Sequence, residues 1–209
     1  MITDIVICAH NEAPRIAAVL TAVVRSPAAG NVIVVCDACT DATATVAAQF
    51  PVEIVAIDAR TKGTAMAVGL GYVATERVVF IDADLSGLRP EHVTALCLVP
   101  PLDGMLVGVR GNRPSGKALW RPLAYWPSIS GERRLPVAFA RGLRLHGRGW
   151  EVETQINAAA ASIPHRQIIL RGVSNPEKPG AGAIKEWFQV AGISLLRAPE
   201  LLRYVATET

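Results

Sequence analysis

The sequence is poor in charge and in aromatic residues: charged side chains make up 19% and aromatic side chains 5% of its 209 residues, against 51% hydrophobic. Disordered chains combine low hydrophobicity with high charge, so intrinsic disorder is excluded. No apolar run approaches the ~18 to 20 residues of a membrane-spanning helix, because residues such as Arg25, Asp103 and Arg110 interrupt the longest ones. The chain begins without a basic segment and a small-residue cleavage site, so we expect a cytoplasmic protein.

The sequence has only four cysteines, and their spacing provides only half of the ligands of a typical zinc site. Cys36 and Cys39 form one C-x-x-C pair, but no second pair and no H-x-x-x-H completes the usual set of ligands. A thioredoxin-type dithiol stays open, because the pair follows a predicted strand and precedes a predicted helix. Otherwise free thiols are expected.

The first half of the chain alternates apolar runs with segments of helical spacing. The apolar runs, each of strand length, occupy residues 4–9, 32–36, 52–57, 78–82 and 104–109. The helical segments between them occupy residues 16–23, 41–49, 62–75 and 90–98. This alternation predicts a single α/β domain with a Rossmann-like, mostly parallel sheet and helices on both faces.

The second half has no comparable alternation. Residues 111–135 mix Gly, Pro, Arg and Trp without a period, which predicts a long functional loop. The remaining patterns predict helices over 136–146 and 149–162, a strand over 167–173, a loop over 174–182 and a final amphipathic helix over 183–204.

Polar residues follow the predicted strands at their carboxyl ends, where ligands bind in sheets of this type. They are the segment from His10 to Glu12, Asp37, Lys62 and the segment from Asp82 to Asp84. Taken singly, such residues are ordinary turn and cap chemistry. Together they place many ionisable groups on one rim, which predicts a cationic or polar ligand there.

Asp82 and Asp84 are the most informative pair. Two residues apart on an extended chain, their side chains point to one side with Cα atoms about 6.5 Å apart. Carboxylates this close repel each other unless a cation lies between them or one is protonated. Mg²⁺ or Mn²⁺ suits such oxygen ligands. The alternative is a turn in which Asp84 caps the next segment.

Four motifs in order resemble a known family. They are the H-N-E at His10–Glu12, the C-D-A-C-T-D that starts at Cys36, the K-G-x-A that starts at Lys62 and the D-A-D that starts at Asp82. This series resembles the nucleotide-sugar half of family 2 glycosyltransferases with the GT-A fold, over residues 2 to about 110. Looser likeness to soluble glucosyl-3-phosphoglycerate synthases and polyprenyl-phosphate sugar transferases continues through residues 130–133 and 149–153.

The resemblance implies an enzyme, a metal-dependent hexosyltransferase using a nucleotide-diphosphate sugar. Residues 1–110 would form the nucleotide-sugar-binding half and residues 111–209 the acceptor-binding half of one domain. The implied donor-binding residues are Ala9, Asn11, Glu12, Asp37, Lys62, Asp82 and Ala83. The implied catalytic residues are Asp84, Glu132 and Glu153. The implied acceptor-binding residues are Arg133, Arg134 and Glu153, and the implied ligands of Mg²⁺ or Mn²⁺ are Asp84 and Asn175.

The sequence departs from the family pattern at several of these positions. Cys36 replaces the first Asp of a common D-D-G-S motif, and Ala38-Cys39 replace its Gly-Ser, which leaves the nucleotide base open. Related soluble enzymes often have a metal-binding His where this chain has Asn175. The Glu-Asp dipeptide that serves as catalytic base in inverting members is absent, so Glu132 and Glu153 are the candidate acids.

Arginines crowd the stretch from Arg110 to Arg148, where Glu132 is the one acid. A local positive field favours an anionic ligand, so we expect a small anionic acceptor. Alternatives from the same fold are nucleic acid or a lipid phosphate at a membrane surface, against which the last predicted helix could lie. A nucleotidyltransferase or a non-catalytic nucleotide-binding module also stays open, as does a homodimer.

Overall fold

A computed structural model describes residues 2–110, 130–145, 147 and 150–175. The strands are β1 (Thr3–Ala9), β2 (Ala29–Asp37), β3 (Glu53–Ile57), β4 (Arg77–Asp82), β5 (Met105–Arg110), β6 (Arg133–Pro136) and β7 (His165–Leu170). The helices are α1 (Ile16–Val24), α2 (Thr43–Ala47), α3 (Lys62–Leu70), α4 (Pro90–Leu98), α5 (Val137–Arg141) and α6 (Trp150–Ala159), followed by a 3₁₀ turn at Ala160–Ser162.

The described strands form one sheet in the order β3-β2-β1-β4-β6-β5-β7. All neighbours are parallel except β6, which runs antiparallel to both β4 and β5. The mostly parallel α/β sheet is therefore confirmed. The chain builds outward from β1 to β3 and then returns to place β4 on the other side of β1. Such a reversal of strand order opens a crevice at the carboxyl ends of β1 and β4.

Both faces of the sheet are covered by helices. On one face, residues of α1, α2 and α4 such as Leu20 and Leu96 pack in one core cluster. On the other face, residues of α3, α5 and α6 such as Met66 and Ile156 pack in a second. This explains the unbroken apolar strands, since consecutive side chains in β1 point to opposite faces and both faces are buried. Burying each large apolar side chain contributes about 1.5–3 kcal/mol.

Several predicted boundaries are wrong, each for a local reason. The predicted helix over 62–75 ends at Leu70, because the Asp4 carboxylate accepts hydrogen bonds from the backbone N–H groups of Ala74 and Thr75 and holds them in the turn before β4. The predicted strand over 167–173 is β7, which ends before Gly172 at φ +81°.

In the second half the largest difference is β6, which lies where a loop was predicted. The predicted helix over 136–146 is the short α5, which ends at Gly142, and the one over 149–162 is α6 with its 3₁₀ turn. The predicted final helix over 183–204 and most of the predicted loop over 111–135 lie outside the described residues.

Candidate active site

A cleft of about 720 Å³ opens at the carboxyl ends of β1, β2 and β4. It is lined by most of the residues that the sequence singled out: Ala9, Asn11, Glu12, Asp37, Lys62, Asp82, Ala83, Asp84, Glu153 and Asn175. Asp37, the last residue of β2, and Asp84, two residues after the end of β4, therefore line the same cavity. Lining residues that the sequence did not single out include Arg60, Thr61 and Ala65.

Asp37 shapes one wall of the cleft. Its Oδ1 accepts hydrogen bonds from the backbone N–H groups of Ala59 and Arg60, both at 2.8 Å, and its Oδ2 accepts one from Thr61 at 2.9 Å. These bonds fix the segment between β3 and α3 and deliver Lys62 to the cleft. A carboxylate has about four acceptor positions, so one remains for a ligand.

Three residues of the cleft wall adopt positive φ angles without being glycine: Asn11 at +55°, Ala38 at +51° and Arg60 at +56°. For Ala and Arg this conformation costs roughly 1 kcal/mol each, and such strain persists only where the surroundings enforce it. Ala38 stands where the family motif has Gly, which adopts this conformation freely. That substitution was the signal in the sequence for a tight turn at the cleft.

Asn11 ties the ends of β1 and β2 together. Its Oδ1 accepts hydrogen bonds from the backbone N–H of Thr40 at 2.8 Å and of Asp41 at 3.3 Å. The neighbouring Glu12 is buried, and its Oε2 accepts a hydrogen bond from Arg15 Nε at 2.7 Å. Both residues therefore line the cleft and stabilise its rim through side-chain hydrogen bonds.

Lys62 bridges two carboxylates across the cleft. Its Nζ donates to Asp82 Oδ1 at 2.8 Å and to Glu153 Oε1 at 2.6 Å. Burial alone would lower the pKa of Lys62, but the two carboxylates more than offset it and hold the pKa above its usual value. Burial would likewise raise the pKa of Asp82, but Lys62 and then Arg110 lower it. Both groups are therefore charged at neutral pH.

Asp82 packs against the backbone of Gly131. A Cβ atom at Gly131 would lie 2.1 Å from Asp82 Oδ1 and 2.3 Å from Oδ2, so no side chain fits there. Glycine is required at this position by the close approach, and the contact fixes the Asp82 carboxylate from the side of the chain that precedes β6.

An isolated β-bridge places Asn175 at the cleft. Ser86, two residues after Asp84, pairs in antiparallel fashion with Ser174 through two backbone hydrogen bonds of 2.8 and 3.0 Å. The bridge places Asn175 beside the segment that carries Asp84. Within the described part of the chain, the buried Oδ1 of Asn175 has no hydrogen-bond partner.

Glu153 lies on α6 and is 3% exposed. One carboxylate oxygen binds Lys62, and the buried Oε2 has no partner among the described residues. A buried carboxylate oxygen without a donor is costly, and a ligand hydroxyl in the cleft would satisfy it. Glu153 Oε2 therefore offers an acceptor position to a polar ligand in the cleft.

Glu132 and Arg133 are not among the residues that line the cleft, and both are fully buried. The Arg133 guanidinium donates to the carbonyl of Ser130 at 3.0 Å through Nε and to Asn157 Oδ1 at 3.1 Å. Arg133 thus joins β6 to α6, the helix that carries Glu153. The structure thus gives Arg133 a supporting position inside the protein and does not place it among the residues that line the cleft, so acceptor binding by Arg133 stays a prediction.

Arg134 points to the opposite side of β6 from Arg133, because neighbouring side chains of a strand alternate. Its guanidinium donates to the carbonyls of Leu96, Cys97 and Val99 at 3.2, 3.1 and 2.9 Å, and to that of Pro101. These bonds satisfy carbonyl groups left open at the end of α4. Arg134 does not line the cleft, so the expectation that it binds an acceptor is not supported.

Other arginines of the basic stretch are also engaged with the protein. Arg110 lies near Glu132 and Asp82, and Arg141 donates to the carbonyls of Leu70 and Val73. Arg113, Arg121 and Arg148 lie outside the described residues. Arg110, Arg133, Arg134 and Arg141 therefore form internal contacts.

The C-x-x-C pair does not have the character of a redox dithiol. All four cysteines are free, and Cys36 is buried. Burial and the neighbouring Cys39 raise the pKa of the Cys36 thiol to about 12, whereas redox-active pairs stabilise a thiolate.

Over the described ranges, no cluster of three or more His, Cys, Asp and Glu side chains could hold a metal ion by itself. None of the helices that the structure describes is long and apolar enough to cross a membrane.

Solved structures share this architecture. Glucosyl-3-phosphoglycerate synthase from Mycobacterium tuberculosis, in complex with Mn²⁺, UDP-glucose and phosphoglyceric acid, superposes with a TM-score of 0.73 at 20% identity, covering 94% of this chain and 79% of that chain. The same enzyme in complex with Mg²⁺ and UDP gives a TM-score of 0.75 at 21% identity, covering 94% and 79%. The fold is the GT-A fold.

The sequence profile of glycosyl transferase family 2 matches residues 4–128. The chain belongs to this family. A 4,4'-diaponeurosporenoate glycosyltransferase of Staphylococcus aureus (strain MRSA252) is 35% identical over 106 residues, which cover 48% of this chain and 28% of that protein. A second protein of that description, from strain USA300, is 34% identical over the same shares. The match thus spans less than a third of the length of these curated relatives.

Proposed function

We propose that this protein is a metal-dependent glycosyltransferase that moves a hexose from a nucleotide-diphosphate sugar to an acceptor. The observation that carries the proposal is the convergence of Asp37 and Asp84 on one cleft at the switch point of the sheet. Membership of glycosyl transferase family 2 supports the reaction class. The structural neighbour in complex with UDP-glucose and Mn²⁺ supports the class of donor.

The nucleotide would lie over the carboxyl ends of β1 and β2. The remaining acceptor position of Asp37 would take a hydrogen bond from the base, and the strained turn at Ala38 lets the backbone approach the base closely. The wall that contains Asn11 and Glu12 would hold the base or the ribose. These roles use groups that already line the cleft and need no rearrangement of the strands.

The residues present fit a divalent cation. Asp84 and Asn175 both line the cleft and both offer oxygen, the ligand type that Mg²⁺ and Mn²⁺ prefer. The Asn175 Oδ1, buried and without a partner in the described parts of the chain, is the kind of atom that a cation satisfies. When bound, the cation would neutralise charge on the departing diphosphate.

Lys62 supplies the fixed positive charge of the site. It lies at the first turn of α3, where the open backbone N–H groups and the helix dipole also favour phosphate oxygens. Asp82 and Glu153 hold its ammonium group in place before any ligand binds. Pre-oriented charges of this kind stabilise a developing negative charge without reorganisation during the reaction.

Glu153 is the residue best placed for the sugar or the acceptor. Its orphaned Oε2 would accept a hydrogen bond from a hydroxyl group, and a carboxylate near the sugar also stabilises the positive charge that develops at the glycosyl carbon. Glu153 would act as a base only if it could take the proton of the acceptor hydroxyl despite its ion pair with Lys62, which favours the ionised carboxylate.

The acceptor is proposed to be a small anionic molecule. The basic stretch from Arg110 to Arg148 motivates this class, and the structural neighbour binds phosphoglyceric acid. Because Arg110, Arg133, Arg134 and Arg141 contact the protein, an anion site would draw on other residues of the stretch, such as Arg113, Arg121 or Arg148. Nucleic acid and lipid phosphate carry the same charge, and a salt titration with duplex DNA and sedimentation with anionic liposomes would reveal either.

The proposal is tested by turnover with a panel of UDP- and GDP-sugars in the presence of Mn²⁺ or Mg²⁺. The expected result is slow hydrolysis of one donor, which accelerates when the correct acceptor is added. A non-catalytic module would bind the nucleotide and leave every donor intact. Absence of nucleotide binding and of hydrolysis across the panel would overturn the proposal.

A further inference from the structure

Glu132 is placed next to the cleft without reaching it. The residue is fully buried, and the preceding Gly131 packs directly against the Asp82 carboxylate that lines the cleft. Glu132 therefore cannot touch a bound substrate, but a change in its charge would act on Asp82 at short range.

The hydrogen bonds around Ser130 favour a protonated Glu132. The Ser130 Oγ lies 2.6 Å from the Gly108 carbonyl oxygen and 2.5 Å from Glu132 Oε2. A hydroxyl group has one proton, and a carbonyl oxygen can only accept. Both short contacts are satisfied at once when Ser130 donates to Gly108 and a protonated Glu132 donates to Ser130.

The second oxygen of Glu132 leads to the same conclusion. Its Oε1 is buried and has no hydrogen-bond partner among the residues described. An ionised carboxylate with one oxygen left unsolvated and unbonded is much more costly to bury than a neutral carboxylic acid. The chain thus surrounds Glu132 with a site that fits the neutral form.

We propose that Glu132 is a positioning residue that is a neutral carboxylic acid on the acid side of neutrality, so that Arg110 stays available there to Asp82 at the cleft wall. Arg110 Nε lies 3.3 Å from Glu132 Oε2, and its Nη2 lies 4.0 Å from Asp82 Oδ2. One guanidinium thus lies between the two carboxyl groups. A neutral Glu132 leaves the positive charge to Asp82.

The charged groups around Glu132 come from each neighbouring element. Asp82 lies on β4, Arg110 on β5 and Lys62 on α3, and Arg133, the next residue in the chain, begins β6. Burial and then Asp82 raise the pKa of Glu132 to about 7, against the lowering effects of Arg110, of the hydrogen bond with Ser130 and of Lys62. Ionisation therefore falls within the neutral range.

Ionisation of Glu132 would disturb the cleft in two ways. The new carboxylate would compete with Asp82 for Arg110, and it would repel Asp82 across Gly131. Donor turnover should then fall as the pH rises through about 7. This effect on turnover rests on the proposed function, whereas the protonation state of Glu132 does not.

The protonation state is tested by infrared difference spectroscopy of the parent against Glu132→Gln. At about pH 6 the parent should show a carboxylic acid C=O band that the variant lacks, and this band should vanish by about pH 8. Glu53→Gln, which changes an exposed glutamate on β3, is the control and should leave the band in place. Absence of such a band in the parent at about pH 6 would overturn the proposal.

The positioning role is tested by the pH profile of donor hydrolysis. Glu132→Gln mimics the neutral acid, so it should keep hydrolysis within about threefold of the parent at about pH 6 and should lose the decline above pH 7. A folded Glu132→Gln that loses more than about tenfold at pH 6, or that keeps the parental decline, would overturn it. If the parent hydrolyses no donor, the proposed function fails and the infrared result still decides the state of Glu132.

Discussion

The Nζ of Lys62 lies 2.6 Å from Oε1 of Glu153, although the two residues are 91 positions apart in the sequence. Lys62 opens α3 in the first half of the chain, and Glu153 lies on α6 in the second. The ion pair therefore joins the proposed donor half to the proposed acceptor half at the cleft. It also fixes the Lys62 ammonium group near the position proposed for the diphosphate.

Replacing Lys62 should destabilise the protein in a pH-dependent manner. Lys62→Met leaves Asp82 and Glu153 facing each other with little solvent, and we expect a loss of about 1–3 kcal/mol near neutral pH, less than for a fully buried pair because Lys62 is partly exposed. Chemical denaturation at several pH values measures this loss.

The direction of the pH dependence distinguishes the loss of the Lys62 ion pairs from a simple packing defect. In the parent, the raised Lys62 pKa and the lowered Asp82 pKa make the ion-pair contribution constant between about pH 5 and pH 9. In Lys62→Met, the carboxylates would bind protons more tightly in the folded than in the unfolded state, so the variant should regain stability as the pH falls. A loss that does not change with pH would contradict the ion-pair account.

Adding one methyl group to Gly131 should displace Asp82. The Cβ of Gly131→Ala would lie 2.1 Å from Asp82 Oδ1, so the carboxylate or the segment before β6 must shift. We expect nucleotide binding, measured by calorimetry, to weaken by about tenfold or more in a protein that remains folded.

Gly142→Ala is the matched control, because its Cβ, at the exposed end of α5, would meet the carbonyl oxygens of Phe139 at 3.3 Å and Ala138 at 3.9 Å and no residue of the cleft. This variant should bind nucleotide like the parent. If Gly131→Ala and Gly142→Ala bound nucleotide equally well, the position of the Asp82 carboxylate would not matter for nucleotide binding.

Much of the cleft could be predicted from the order of strands and polar residues. Parallel strands bring their carboxyl ends to one edge, so Asp37 and Asp84 had to lie near each other once both followed strands. The positions of Arg133 and Arg134 could not be predicted in this way. An arginine in a short polar segment is usually exposed, and only the pairing of β6 between β4 and β5 buries both side chains.

The role of Asp37 in the loop that precedes α3 was also missed. Its three bonds go to backbone N–H groups of residues 59–61, and backbone groups leave no trace in the residue types. The positive φ of Arg60 belongs to the same loop and likewise has no sequence signal. The turn at Ala38, in contrast, has a signal in the sequence, because the family motif has glycine at that position.

Replacing Arg134 should affect stability without affecting the cleft. Arg134→Met removes the donors that satisfy four carbonyl groups at the end of α4, and we expect a loss of about 2–4 kcal/mol. The acceptor KM of the remaining folded enzyme should equal that of the parent. A raised KM with unchanged stability would restore the expectation that Arg134 binds the acceptor.

Asn175→Ala should weaken metal binding without abolishing it. The variant removes the Oδ1 of Asn175, which has no hydrogen-bond partner among the described residues and is proposed to bind the cation. The Mn²⁺ concentration that supports half-maximal nucleotide binding should therefore rise about tenfold. Asn175→Asp keeps an oxygen in place and should restore binding. An unchanged Mn²⁺ requirement in Asn175→Ala would remove this residue from the metal site.

The proposed role of Asp84 as a ligand of the divalent cation is measured by calorimetric titration of UDP, with and without Mn²⁺, into the parent and into Asp84→Asn. Mn²⁺ should strengthen UDP binding to the parent, and Asp84→Asn, which keeps the shape of the side chain, should lose at least about tenfold of that gain. If UDP bound to Asp84→Asn with the parental affinity and the parental response to Mn²⁺, Asp84 would not hold the cation and the proposed function would be wrong.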